Sequence, residues 1–314
     1  MTKFGLQLPN FTFSGVPDNE MFEHVAELAV AGEESGFDSV WVMDHFWQLP
    51  PLGGPSQPML EGYTLLGGLA ARTRRVQLGT LVTGVTYRNP ALLAKMVTTL
   101  DIVSAGRAIL GIGAAWYEEE HDGLGFDFPP AGERLDRLEE ALQICRAMFT
   151  EEAPSFAGKH YRIEKALNIP RPIQPNGPRI MVGGSGQKRT LRLVAQYADM
   201  CNVFGSPTTL RRHLEVLHRH CADVGRDPSE ITTSSLGSLF LSSSPEEAEQ
   251  TSSFLRDAAG ADFEERFIVG DPSAVLDQVE AAIDAGLDMM IFNMPFADAA
   301  TVRRAGELLV SRFG

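Results

Sequence analysis

Eight short apolar runs recur along this chain, and nearly every one is followed by a segment whose apolar residues have helical spacing. The runs are Phe4 to Leu8, Ser39 to Met43, Val76 to Val82, Ala108 to Ile112, Ile180 to Val182, Met200 to Phe204, Ile231 to Ser235 and Met289 to Asn293. Strands this short and this uniformly apolar are buried on both faces, as in a parallel sheet covered by helices. Two architectures meet that condition: a closed (β/α)8 barrel and a doubly wound open sheet. The count of strands, in a chain of 314 residues, favours the barrel, and a single domain over 1–314 is expected. The longest insertions follow strands 2, 4 and 7. Residues 154–178 interrupt the alternation with a small hairpin, Phe156 to Tyr161, and a connector carrying Pro170, Pro172, Pro175 and Pro178.

Composition enters as a filter on function. The formal net charge is −14 and no lysine or arginine run of the kind that tracks a phosphate backbone is present, which argues against a nucleic-acid partner. Cys145, Cys201 and Cys221 are scattered and form no C-x-x-C pair, so neither a disulfide framework nor a zinc site is indicated. No apolar stretch reaches membrane-spanning length, and the start reads as a strand rather than a signal segment. A cytoplasmic enzyme acting on a small molecule is the expectation.

In a barrel the chemistry sits on the loops that follow the strands. That rule selects Asp44 and His45, Thr83 and Gly84, Gly113 to Tyr117, Gly183 to Gly186, Asn202 with Phe204, and Asn293. His45 closes a buried strand and is expected to act as acid or base, or as a hydrogen-bond partner to an electron-rich ring. Asp44 either orients His45, bonds a ligand, or serves its own loop. Gly183-Gly-Ser-Gly186 lies between a buried run and a helical one. Such a turn either seats a phosphate on free backbone N–H groups or is simply tight. It matches neither the Walker spacing nor G-x-G-x-x-G. Glu118-Glu-Glu120 with His121-Asp122 lacks the H-E-x-x-H spacing and reads as a solvated acidic helix start, so no metal is expected. There is no G-x-S-x-G elbow. One anion turn, a flat-ligand pocket walled by Trp116 and Tyr117, and one histidine suggest an organic cofactor that carries the redox chemistry.

The same residues carry a resemblance. Phe4-Gly-Leu-Gln-Leu-Pro9, Ser39-Val-Trp-Val-Met-Asp-His45, Leu78-Gly-Thr-Leu-Val-Thr-Gly-Val85 with Arg88-Asn-Pro-Ala91, Gly106-Arg-Ala-Ile-Leu-Gly-Ile-Gly113, and Gly183-Gly-Ser-Gly186 with Thr190-Leu-Arg-Leu193 occur in that order. Together they resemble the luciferase-like superfamily, and within it the oxidoreductases that use the deazaflavin coenzyme F420. The resemblance implies a (β/α)8 barrel, often a homodimer, with a non-prolyl cis peptide at Leu81-Val82 propping the cofactor ring. It implies a phosphate turn over Gly183, Gly184, Ser185 and Gly186. Ring contacts would come from Asp44, His45 and Thr83, with Gly113 and Tyr117 beside the ribityl chain. Lys188, Arg189 and Arg192 either receive the acidic cofactor tail or are plain exposed helix residues. The implied reaction is hydride transfer between the deazaflavin and an organic substrate, with His45 giving or taking the proton. The alternative is an FMN-dependent monooxygenase of the same fold. One departure stands out: the sugar-phosphate dehydrogenase branch carries a catalytic glutamate after the glycine that ends strand 4, and here that place is Ala114.

Overall fold

The structure, a computed structural model, describes residues 2–314. In chain order the strands are β1 (Lys3–Leu8), β2 (Ser39–Val42), β3 (Gln77–Thr80), β4 (Thr83–Gly84), β5 (Ala108–Gly113), β6 (Phe156–Ala157), β7 (Arg162–Ile163), β8 (Arg179–Gly183), β9 (Met200–Val203), β10 (Thr232–Leu241), β11 (Phe267–Gly270) and β12 (Met289–Asn293). The helices are α1 (Met21–Glu34), α2 (Gly62–Arg72), α3 (Pro90–Val103), α4 (Glu118–Leu124), α5 (Ala131–Thr150), α6 (Thr190–Tyr197), α7 (Pro207–Val224), α8 (Pro245–Ala259), α9 (Phe263–Arg266), α10 (Pro272–Ile283) and α11 (Ala299–Phe313).

Eight strands close the ring in the order β1, β2, β3, β5, β8, β9, β10 and β12, with β12 back against β1 and every pair parallel. This is the (β/α)8 barrel expected from the eight runs. Alternate side chains of each strand point in and out. Trp41, Leu81, Ile109, Met181, Met200, Met289 and Ile291 fill the interior. Phe4, Leu6, Val40, Val42, Leu110, Ile180 and Val203 join the larger core of buried residues that includes the helices. The connector after β7 is tied to α3 by Asp101, which accepts from the backbone N–H of Ile173 (2.7 Å) and Gln174 (3.1 Å). Among the described residues no helix is long and apolar enough to cross a membrane.

Three details differ from the sequence expectation. The run Val76 to Val82 is not one strand: it is β3, then a cis peptide at Leu81-Val82, then β4. β11 was not expected at all. It pairs with Ser238–Leu241, the half of β10 that projects beyond the closed ring. The insertion after strand 4 holds a complete short helix, α4, where only an acidic helix start was marked.

Candidate active site

Consecutive residues leaving a strand point to opposite sides, and Asp44 and His45 do so. Asp44 is buried and receives two bonds from the Arg88 guanidinium, at 2.6 and 3.0 Å; Arg88 also reaches Glu61 at 2.6 Å. Of the three readings open for Asp44, the structure shows the one in which it serves its own surroundings: Asp44 holds Arg88 and makes no bond to His45. Burial alone would make the guanidinium less basic, but the Asp44 carboxylate beside it outweighs burial and pushes it above its usual range. Asp44→Ala should cost about 3 kcal/mol, since it leaves a buried cation with only Glu61. Asp44→Leu combined with Arg88→Met should recover most of that loss, as read by urea denaturation.

His45 faces the mouth of the barrel. Its Nδ1 lies 3.2 and 3.3 Å from the two oxygens of Glu120, and its ring meets the edges of Trp116 and Tyr117 at 5.5 and 5.8 Å between centroids. Glu120 is fully buried. It also accepts from the backbone N–H of Phe46 (2.8 Å) and Trp47 (3.3 Å) and from the Tyr87 hydroxyl (2.9 Å). Burial alone would raise the Glu120 pKa. The bonds from His45, Phe46 and Tyr87 outweigh it and hold the carboxyl below its ordinary value of 4.5. An ionised Glu120 accepts the Nδ1 proton and leaves Nε2 as the free ring nitrogen, which has no protein partner among the described residues. That nitrogen can take a proton from a hydroxyl or return one.

Glu120 is a functional candidate that the sequence reading dismissed. The acidic triplet is not a uniformly solvated helix start: Glu118 and Glu119 are exposed, whereas Glu120 and His121 are buried. His121 is satisfied by Thr86 Oγ1 (2.6 Å) and the Tyr117 carbonyl (2.7 Å). The signal was present in the spacing, since Tyr117, Glu120 and His121 stand at i, i+3 and i+4 and share one helix face. Because the folded-state pKa of Glu120 is depressed, its ionisation stabilises the fold above pH 4.5, and that contribution is lost as pH falls through the lower folded value. Glu120→Gln should therefore lose less melting temperature than the wild type between pH 6 and pH 3.5, measured by circular dichroism.

The other expected residues gather at the same end. The Leu81-Val82 cis peptide is at the mouth, and its Leu81 carbonyl accepts from the buried Gln7 amide at 3.3 Å. The Val82 side chain wedges between β5 and β8: a Cβ added at Gly113 or Gly183 would come within 2.9 Å of its methyl groups. The small size of those two glycines is thus set by Val82. The Thr83 hydroxyl is buried and bonded to Tyr63 (2.8 Å) and Thr80 (2.9 Å). Tyr117 is buried with its ring stacked on Trp116. The Gly183 to Gly186 turn leaves β8 with Gly184 at φ +127° and its N–H on the Asn202 carbonyl (3.0 Å). Ser185 Oγ accepts from the Phe204 N–H at 3.1 Å. The backbone N–H groups of Ser185 and Gly186 have no protein acceptor among the described residues. The turn does not run straight into a helix, because residues 187–189 intervene before α6. Arg189 is bonded to Asp136 (2.7 Å) and the Gly132 carbonyl, whereas Lys188 and Arg192 are exposed. A surface hollow of about 850 Å³ lies along α8 by Glu249, Phe254 and Asp257; one helix face bounds it and no strand end reaches it.

A (β/α)8 barrel that collects its polar groups at the carboxyl ends of its strands has the architecture of an enzyme. Comparison with known proteins makes the assignment specific. The sequence profile of the luciferase-like monooxygenase family matches residues 2–266. An F420-dependent glucose-6-phosphate dehydrogenase from Kineococcus radiotolerans is 32% identical over 307 residues, covering 87% of this chain and 88% of that protein. Among solved structures, the coenzyme F420-dependent tetrahydromethanopterin reductase of Methanopyrus kandleri superposes with a TM-score of 0.80 at 19% identity, covering 100% and 99% of the two chains. A monooxygenase from Streptomyces bottropensis superposes with a TM-score of 0.84 at 23% identity, covering 99% and 100%. The chain belongs to the luciferase-like monooxygenase family and is an oxidoreductase.

Proposed function

We propose that this protein is an F420-dependent oxidoreductase that moves hydride between the deazaflavin and a small organic substrate. The observation that carries the reading is similarity, over 87% of this chain, to a dehydrogenase named for that cofactor. The residues at the mouth fit a phosphate-bearing cofactor. The Ser185 and Gly186 N–H groups are free, Gly184 has the positive φ that such turns use, and no carboxylate stands in the first turn of α6. Lys188 and Arg192 are available to an acidic tail, whereas Arg189 is already paired. In this reading the cofactor supplies the hydride chemistry. The protein seats its phosphate on Gly183 to Gly186 and its ring beside Leu81, Val82 and Gly113. His45 Nε2 takes or gives the proton, and Glu120 fixes which ring nitrogen is free.

Separate binding titrations with F420 and FMN test this. F420 binding with deazaflavin reduction by a substrate is expected. Tight FMN binding without F420 binding, together with flavin-dependent oxygen uptake, would replace the proposal with the monooxygenase reading. We also read the protein as a cytoplasmic homodimer. Support comes from exposed apolar residues Leu92 and Val103 on one face of α3, beside a connector that exposes Ile169 and Ile173. Lys95 joins the two elements by a 2.5 Å bond to the Ile169 carbonyl. Light scattering should give twice the chain mass of 34.2 kDa.

A further inference from the structure

Asn202 and Asn293 lie at the carboxyl ends of β9 and β12 and take no part in the network around His45. With Gln7 they form a layer of amides inside the mouth of the barrel. Each stands two residues beyond an inward position, and strand side chains alternate. Asn202 follows Met200 and Asn293 follows Ile291, both of which fill the interior. Gln7 follows Gly5, where an added Cβ would meet Trp41 and Ile291. In a tilted eight-stranded barrel the level shifts by about one residue per strand. The pairing registers then put Gln7, Asn202 and Asn293 within about two residues of one height.

The three share one arc of the ring, in which β9, β10, β12 and β1 adjoin. Leu81, Val82, Gly113 and the glycine turn lie on the other arc, from β3 through β5 to β8. His45, after β2, stands where the two arcs meet. With the cofactor on the second arc, the first is the one that faces the substrate.

Hydrogen bonds fix the polarity of two of these amides. The Leu81 carbonyl can only accept, so it faces Gln7 Nε2 (3.3 Å) and leaves Oε1 turned away. Ser234 Oγ gives its proton to the Cys201 carbonyl (2.8 Å), so it must accept from Asn202 Nδ2 (3.1 Å), which leaves Oδ1 turned away as well. Neither oxygen has a protein donor among the described residues, although Gln7 and Asn202 are only 3% and 1% exposed. Neither is sealed: the buried side-chain polar atoms without a partner are on His160, Asn168 and His213, outside the ring. Both oxygens therefore open onto the mouth. Asn293 is half-buried, and its side chain makes no hydrogen bond among the described residues, so it keeps both a donor and an acceptor.

Polar atoms this deep that the fold leaves unpaired are ones a ligand can complete. A carboxylate or phosphate would set its oxygens against the two amide oxygens, acceptor against acceptor. A carboxamide fits: its NH2 group donates twice, its carbonyl accepts from Asn293 Nδ2, and it brings no charge to desolvate. We infer that Gln7, Asn202 and Asn293 form the polar specificity site for the substrate, and that the group they take is an uncharged carboxamide. The inference rests on the cofactor reading only for which arc is left to the substrate.

The test titrates the full chain with benzamide, benzyl alcohol and benzoate, with saturating F420 and without it, and follows binding by ligand-observed NMR. The probes share one ring, for which Trp116 and Phe204 at the rim offer flat partners, so differences between them report the polar group. Benzamide should bind about tenfold more tightly than benzyl alcohol, the worth of one or two net hydrogen bonds, and benzoate more weakly than either. Asn293→Leu replaces a side chain that the fold itself does not use. It should cut benzamide affinity about fivefold, with affinity for benzyl alcohol and for F420 unchanged. Equal affinity for the three probes, preference for benzoate or benzyl alcohol, or no saturable binding of benzamide overturns the inference, while the F420 titration judges the cofactor reading separately. Loss of F420 affinity in Asn293→Leu also overturns it, since the amides would then be reading the cofactor ring. A chain that ranks the probes as expected but takes up no F420 sinks the cofactor reading and keeps the amide site.

Discussion

His45→Asn should lower kcat by about two to four orders of magnitude, the usual worth of a positioned acid or base, and should change F420 affinity far less. Asparagine is chosen because its amide N–H can stand where Nδ1 stands, 3.2 Å from Glu120, and keep that buried carboxylate satisfied. What the variant lacks is the second ring nitrogen and its exchangeable proton. The loss then reports proton transfer rather than collapse of the network joining Glu120 to Phe46, Trp47 and Tyr87. A variant that retains wild-type kcat across pH would show that the proton moves elsewhere and that His45 only shapes the mouth.

The second large effect is expected at the glycine turn. Gly184 sits at φ +127°, which side chains rarely adopt, so Gly184→Ala carries a backbone cost of roughly 1–3 kcal/mol. Gly184→Asp adds a negative charge where the cofactor phosphate is proposed to sit. Two like charges about 4 Å apart near a protein surface repel by about 4 kcal/mol, or roughly three orders of magnitude in Kd. Fluorescence titration with F420 should therefore rank wild type, then alanine, then aspartate, with the wide gap between the last two. Both variants should still melt cooperatively, because the barrel core lies below this turn. Equal affinity of the alanine and aspartate variants would place the anion elsewhere.

The barrel was legible because its cause is local and repeated: short apolar runs, each with a helix behind it, leave few ways to bury both strand faces. β11 was not legible. Phe267-Ile-Val-Gly270 is four residues long, and the half of β10 it joins is recognisable only once the ring has closed without it. At the site, His45 and the glycine turn stand out because each ends a buried run. Glu120 was hidden by its neighbours, since two exposed glutamates beside it make the segment look solvated as a whole. The fate of Asp44 and Thr83 depends on partners at Arg88 and Tyr63, and side-chain direction at a strand exit is decided by such distant contacts. Residue type could nominate these positions, but it could not say which way they face.

Val82 occupies space that both Gly113 and Gly183 vacate, so one valine interlocks three strands. The consequence is mutational coupling. Alanine at position 113 or 183 meets the valine methyl groups, and a smaller residue at position 82 opens a void against both glycines. Each single change is penalised where a matched pair is not. A library that randomises any one of the three positions alone should return almost only the parental residue. One that randomises all three together should return new combinations, each with a differently shaped floor to the mouth of the barrel.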